Sequence, residues 1–198
     1  QHDLLMLRQE HLKELKQASA PPEWVDEPLQ ARIESVANYI FWLMDRDRKS
    51  TGLKSVQGKV WQQGYERGEL KGQVFPDVPP ALRRWSSRNL DTRIFSSGSV
   101  LAQKLLFAHT EAGDLTAFLR GYFDTTTGAK TSAESYHRIT NEFHLQASEV
   151  LFISDTTAEV DAAQRAGMQT LLCVRPGNPS APDRHGHGVI NSFSEMVG

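Results

Sequence analysis

Apolar residues recur at helical spacing through the first third of the chain. Leu5, Leu12 and Leu15 share one face of a first helix, which must end before Pro21-Pro22 because proline lacks the amide hydrogen a helix interior needs. Ile33, Val36, Ala37, Ile40, Leu43 and Met44 follow the i, i+3, i+4, i+7 rule of a second amphipathic helix. A third runs from Leu53 past Trp61 toward Gly64, Gly68 and Gly72. Each glycine costs a helix roughly 1 kcal/mol relative to alanine. That segment reads either as a helix fraying as it leaves its subdomain or as a hinge that lets the subdomain move.

After Val74-Phe75-Pro76-Asp77 the pattern changes. Short apolar runs at residues 92–95, 122–124, 150–153 and 170–174 alternate with helical periods at 100–108, 132–143 and 158–166. Strand-helix alternation of this kind predicts an α/β fold, a Rossmann-like parallel sheet with helices on its faces. The expected division is a helical subdomain over residues 1–74 and an α/β core over 75–198. Right-handed crossovers place every strand's carboxyl end on one edge of the sheet, where ligands bind. The stretch 176–188, rich in Pro, Gly and Ser, reads as a loop.

Composition narrows the function. With 198 residues, 39% hydrophobic and 23% charged, the chain is a globular protein, long enough to bury about 70% of its unfolded surface without metal or disulfide staples. A net charge of -2 implies no broad basic surface, so nucleic acid is not an expected partner. The longest strongly apolar run, residues 39–44, falls far short of the roughly 20 residues of a membrane span. A single cysteine, Cys173, rules out an internal disulfide and fits a reducing cytoplasm; its place in Leu171-Leu172-Cys173-Val174 reads as a buried strand. The expectation is a cytoplasmic monomer. Gln1 follows no start methionine and opens no secretory pattern, so an internal start is expected.

The strand ends carry the candidate chemistry. Ser96-Ser97-Gly98-Ser99 follows the first strand and precedes a helix, which suits either ordinary capping or an anion cradle of hydroxyls and amides. Gly128-Ala129-Lys130 precedes Thr131 and Glu134 at capping-box spacing. Lys130 therefore stands at a helix amino end, where a cation is disfavoured by roughly 0.3–1 kcal/mol unless an anion is bound. It is either a tolerated surface lysine or a phosphate ligand. Asp155 ends the third strand as a hard oxygen donor suited to Mg²⁺. Glu159, four residues on, has capping-box spacing with Thr156. Hydroxyl, ammonium and carboxylate at successive strand ends meet the needs of phosphoryl transfer. His185 and His187 lie in glycine-rich sequence, where a flexible loop is expected instead of a metal site. The four tryptophans read as packing residues.

The same segments resemble the haloacid dehalogenase-like phosphatases, most closely the enolase-phosphatase family of methionine salvage. The likeness is carried by residues 96–107, by Gly121-Tyr122-Phe123-Asp124-Thr125, by Gly128-Ala129-Lys130 and by Phe152-Ile153-Ser154-Asp155 through Glu159. It extends to Asp161-Ala162-Ala163 and Val174-Arg175-Pro176-Gly177-Asn178, with Asp47-Arg48-Lys49 and Gly68-Glu69-Leu70-Lys71-Gly72 upstream. The resemblance implies a Mg²⁺-dependent phosphatase with a helical cap and a small phosphorylated substrate. It assigns the phosphate to Ser96, Ser97 and Lys130, the metal to Asp155 and a supporting place to Glu159. It makes Ser96 and Lys130 the catalytic residues, and leaves Trp61 as a candidate wall for a thioether tail. The alternatives are a relative acting on another small phosphate ester, and a non-catalytic binding module.

One departure shapes these expectations. The family's nucleophile lies in an Asp-x-Glu-Gly-Thr turn after its first core strand, and residues 1–198 contain no such turn. Asp45-Arg46-Asp47 imitates it, but Arg48-Lys49 replaces Gly-Thr and the preceding run has helical period. The resemblance thus implies a nucleophile and a central strand outside these residues. Without that strand, unpaired backbone groups costing about 1–3 kcal/mol each stand against a total stability of only about 5–15 kcal/mol. Residues 1–198 alone are therefore expected to be insoluble or molten.

Overall fold

The computed structural model describes residues 2–17, 19–48, 50–178 and 186–196. The chain forms two compact units, Gln1–Arg67 and Gly68–Gly198.

The first unit is helical: α1 (His2–Lys16), α2 (Leu29–Asp45) and α3 (Thr51–Glu66). Its core is Leu7, Trp24, Tyr39, Trp42, Leu43 and Leu53, with the His11 ring set edge-on to Tyr39 at 4.9 Å. Helices occur where the periodicity places them, but α1 buries another face than expected, and of the face expected for α2 only Val36, Ile40 and Leu43 pack in or against the core. Leu5, Leu12, Leu15, Ile33 and Met44 are exposed, whereas Leu7 and His11 of α1 and Ser35, Tyr39 and Trp42 of α2 are buried. Aromatic side chains bury the most surface each, and the Trp24–Tyr39–Trp42 cluster decides which face turns inward. Trp61 lies exposed on α3. Ser50 caps α3 by accepting the Leu53 amide at 2.8 Å. The helix does not fray at its other end: it stops at Gly68, whose φ of +71° is the left-handed terminator that favours glycine.

The second unit holds α4 (Val78–Ser87), β1 (Arg93–Phe95), α5 (Val100–Ala108), β2 (Gly121–Phe123), α6 (Ala133–Phe143), β3 (Leu151–Ser154), α7 (Thr157–Arg165), β4 (Gln169–Cys173) and β5 (Gly188–Ile190). The strands pair in parallel, β1 with β2, β3 with β4, and β4 with β5. The expected parallel sheet is therefore present, in two pieces. β1 ladders only with β2, and β3 only with β4, among the described residues. Tyr136 of α6 covers both pieces, with Phe95 of β1 at 5.7 Å and Phe152 of β3 at 4.8 Å. Cys173 is buried in β4.

Two elements escape the sequence pattern. α4 begins at Val78-Pro79-Pro80, where prolines occupy the first turn and cost the helix nothing. β5 closes the stretch that reads as a loop, and His187 at its entrance is not part of a mobile loop. Its side chain is 1% exposed and its Nε2 lies 2.8 Å from Asp161 Oδ1. His185 lies outside the described residues.

A buried ion pair joins the start of α4 to the segment after β4. Arg175 donates two parallel hydrogen bonds to Asp77, at 2.6 and 2.7 Å, with side chains only 7% and 12% exposed. Asp77 also accepts from the Ser192 hydroxyl at 3.0 Å and the Phe193 amide at 2.6 Å. Arg175 stacks on Phe75 and Phe193 at 4.4 and 4.8 Å.

Candidate active site

The carboxyl ends of β1, β2 and β3 each lead into a helix, and the turn between carries the polar groups. After Phe95 the chain passes through residues 96–99 into α5. The Ser96 amide donates to the Phe123 carbonyl at 3.1 Å, continuing the β1–β2 ladder. The Ser96 hydroxyl accepts the Gly98 amide at 3.1 Å, and Ser99 caps α5 by accepting the Ala102 amide at 3.2 Å. Ser96 is half-buried and Ser97 exposed, beside the partial positive charge of a helix amino end.

After β2, Asp124 folds the next loop by accepting the Thr126 amide at 2.9 Å and its hydroxyl at 2.6 Å. Gly128 has φ +139°, and a Cβ there would fall 2.3 Å from Ser135 Oγ. Only glycine fits. The first turn of α6 then holds the loop by its carbonyls: Ser135 donates to Ala129 at 2.8 Å and Tyr136 to Lys130 at 2.6 Å. Burial, with the charge of Glu159 beside it, pushes the Tyr136 phenol well above its usual pKa and keeps it a donor.

The loop so held projects Lys130. Its Nζ lies 2.7 Å from Glu159 Oε2 and 6.0 Å from the centre of the Phe95 ring. The Ser154 hydroxyl donates to the same Glu159 oxygen at 2.7 Å and accepts the Thr156 amide at 3.1 Å. Lys130 is thus not a loose surface lysine. The buried carboxylate offsets the cost of a cation beside α6 and fixes where the ammonium stands.

Neither expected capping box forms. Glu159 turns from Thr156 toward Lys130, and α7 has no side-chain cap. Ser132, not Thr131, occupies the N-cap position of α6 and makes no side-chain cap, and Glu134 pairs instead with Arg138 at 3.4 Å. In both cases a charged partner outcompetes a local amide.

The structure therefore joins Lys130, Glu159 and Ser154 directly and sets Ser96 next to the ring that Lys130 overlies. Asp155 follows Ser154 but points outward, accepting only the Thr156 hydroxyl at 3.3 Å. Its carboxylate is exposed and carries no competing ion pair among the described residues, which suits one protein ligand of a Mg²⁺ ion completed by waters and phosphate oxygens. Ser135, Tyr136 and Ser154 were not legible as site residues. Each is an ordinary polar residue until its partner is known.

A parallel α/β unit with an anion-ready serine loop, a fixed lysine and a carboxylate at three strand ends is a phosphoryl-transfer scaffold, and residues 8–167 match the haloacid dehalogenase-like hydrolase family. The chain belongs to that family. A solved structure of the UTR4 protein of Saccharomyces cerevisiae aligns with a TM-score of 0.74 at 34% identity, over 96% of this chain and 89% of that one. A haloacid dehalogenase-type phosphatase from Thermococcus onnurineus, at 16% identity and TM-score 0.59 over 98% of this chain and 89% of that one, shares the fold. Among curated proteins, Enolase-phosphatase E1 of Synechococcus elongatus is 50% identical over 196 residues, 99% of this chain and 79% of that protein. Its namesake in Pseudomonas aeruginosa is 48% identical over 163 residues, 82% of this chain and 70% of that protein. Within the hydrolases, the chain falls in this enolase-phosphatase group.

Proposed function

We propose that the chain acts as the enolase-phosphatase of methionine salvage. It enolises 2,3-diketo-5-methylthiopentyl 1-phosphate and releases phosphate, leaving the acireductone 1,2-dihydroxy-3-keto-5-methylthiopentene. The observation that carries this reading is the Lys130–Glu159 pair, 2.7 Å apart at the strand ends, in a chain about half identical to proteins of that name over nearly its whole length.

The placement of these residues supports the following roles. The hydroxyls of Ser96 and Ser97, set beside the positive amino end of α5, bind the phosphate oxygens. Lys130 neutralises charge as it develops on the transferring group, and Glu159 and Ser154 keep its ammonium from swinging away. Such preorganised charge is commonly the largest catalytic contribution. Asp155 is the residue that would hold Mg²⁺, which when bound supplies further charge neutralisation at the phosphate. By the family's pattern the covalent nucleophile would be an aspartate on a core strand, a motif that residues 1–198 do not contain; among the described residues β1 ladders only with β2 and β3 only with β4, which supports a place for such a strand between them. The helical unit is the family's cap. Among the described residues no helix is long and apolar enough to cross a membrane; a cytoplasmic location is part of the proposal, supported by a single cysteine that is free and buried in β4, as suits a reducing compartment.

The test is to give the full gene product the diketone phosphate and to follow enediol absorbance and free phosphate together. Both should rise in equal amounts. Phosphate release from generic esters, with none from the diketone, would sink the assignment.

A further inference from the structure

Gln103 lies on α5 one turn beyond the serine loop and is 5% exposed. A primary amide is costly to bury unless its hydrogens are bonded, and here both are. Nε2 donates to the Gly98 carbonyl and to the Phe123 carbonyl, each at 2.9 Å. Both partners are acceptors only, so the amide can face only one way. The opposite atom, Oε1, is buried without a partner. An apolar residue would avoid that deficit, in a helix whose neighbouring positions are largely leucine and alanine.

The two carbonyls explain what the amide does. Phe123 ends β2, and its carbonyl also receives the Ser96 amide at 3.1 Å. Gly98 is the residue whose own amide holds the Ser96 hydroxyl at 3.1 Å. One side-chain nitrogen thus ties the third residue of the loop to the strand end that anchors its first. A further bond, from the Val100 amide to Asp124 Oδ2 at 3.3 Å, fixes the start of α5 against the same strand end. The hydroxyl of Ser96 is aimed by a turn that Gln103 closes.

We propose that Gln103 is a positioning residue, acting through residues 96–99 to set the phosphate site. The proposal rests on the phosphate reading given above. Releasing the Gly98 carbonyl lets the 98–99 peptide rotate, and displacements of about 1 Å in such a site can cost as much as 10²-fold. Gln103→Met keeps the shape and removes both donors.

The test measures binding of inorganic phosphate to the full gene product with Mg²⁺ present, beside thermal unfolding. Gln103→Met should weaken phosphate binding about 10-fold or more, and Ser96→Ala should weaken it too. A variant that loses thermal stability but binds phosphate as before would overturn the positioning role, leaving the phosphate site intact if Ser96→Ala still weakens binding. No effect of Ser96→Ala, or no binding by the unsubstituted protein, would overturn the phosphate reading and this proposal together. Should Gln103→Met fail to fold, the side-chain amide signal of Gln103 in the unsubstituted protein is read by nuclear magnetic resonance. It should shift with the same phosphate dependence as the Ser96 and Ser97 amides; an unmoved signal would overturn the proposal.

Discussion

Replacing Lys130 with alanine should slow phosphate release by about 10²-fold or more while the chain still folds, at some cost in stability because Glu159 loses its partner. The ammonium is held 2.7 Å from Glu159 Oε2, an oxygen that the Ser154 hydroxyl fixes by donating to it at 2.7 Å, so its position is set before any substrate arrives. Its loss removes charge stabilisation where negative charge develops and leaves Glu159, only 12% exposed at its side chain, to repel the phosphate. The loop itself should survive, because it is gripped by its backbone carbonyls through Ser135 and Tyr136. Steady-state phosphate release and near-ultraviolet circular dichroism, measured on the same preparation, check both halves. Unchanged turnover would return Lys130 to an ordinary lysine.

Arg175→Met should produce the largest loss of stability. The pair it breaks is bidentate and nearly buried, and removing one member of such a pair costs about 3–5 kcal/mol because the other charge is left uncompensated. In a chain of this size that lowers the thermal midpoint by roughly 6–20 °C. The double variant Asp77→Leu with Arg175→Met should recover much of the loss, since no stranded charge remains. Arg175, with the amide of Phe193 and the hydroxyl of Ser192, holds the Asp77 carboxyl far below the usual carboxylate range. A depressed carboxyl stabilises the fold above its unfolded pKa of about 3.9. That contribution is lost as pH falls through the lower folded value. The pair should therefore count fully at neutral pH, and the wild type should lose its advantage over the double variant only in acid below about pH 4. Differential scanning calorimetry of the three proteins across pH measures it.

The order of elements in the second unit was legible from period alone. The helices expected at 100–108, 132–143 and 158–166 begin and end within one residue of α5, α6 and α7. Their signals are local, an apolar stripe after a polar turn. α4 was hidden because Pro79-Pro80 resembles a break when it is in fact a permitted start, and β5 because three residues after a glycine-rich stretch make no pattern. The inward face of α1 was misread for a different reason. Leu4, Leu5, Leu7, Leu12 and Leu15 lie on more than one face, and the choice among them belongs to Trp24, Tyr39 and Trp42, whose positions are tertiary.

The site divides in the same way. Ser96, Lys130 and Asp155 were candidates from sequence because strand ends of a parallel sheet are where ligands bind, and the structure sets each of them after such a strand end. Glu159 was legible as a residue but not in its partner: capping-box spacing pointed to Thr156, and the buried carboxylate faces Lys130. Tyr136 carries no sequence signal of its role, since its hydroxyl binds a carbonyl six residues away only once α6 has packed beneath the sheet.

The central claim is that three strand ends form one phosphate site with Lys130 at its centre. A crystal structure of the full gene product with Mg²⁺ and orthophosphate tests it most directly. The anion should lie within hydrogen-bond reach of the Ser96 and Ser97 hydroxyls and the Lys130 ammonium, with the metal on Asp155. An ordered anion bound elsewhere, with Lys130 still closed on Glu159 and the serine loop empty, would contradict it.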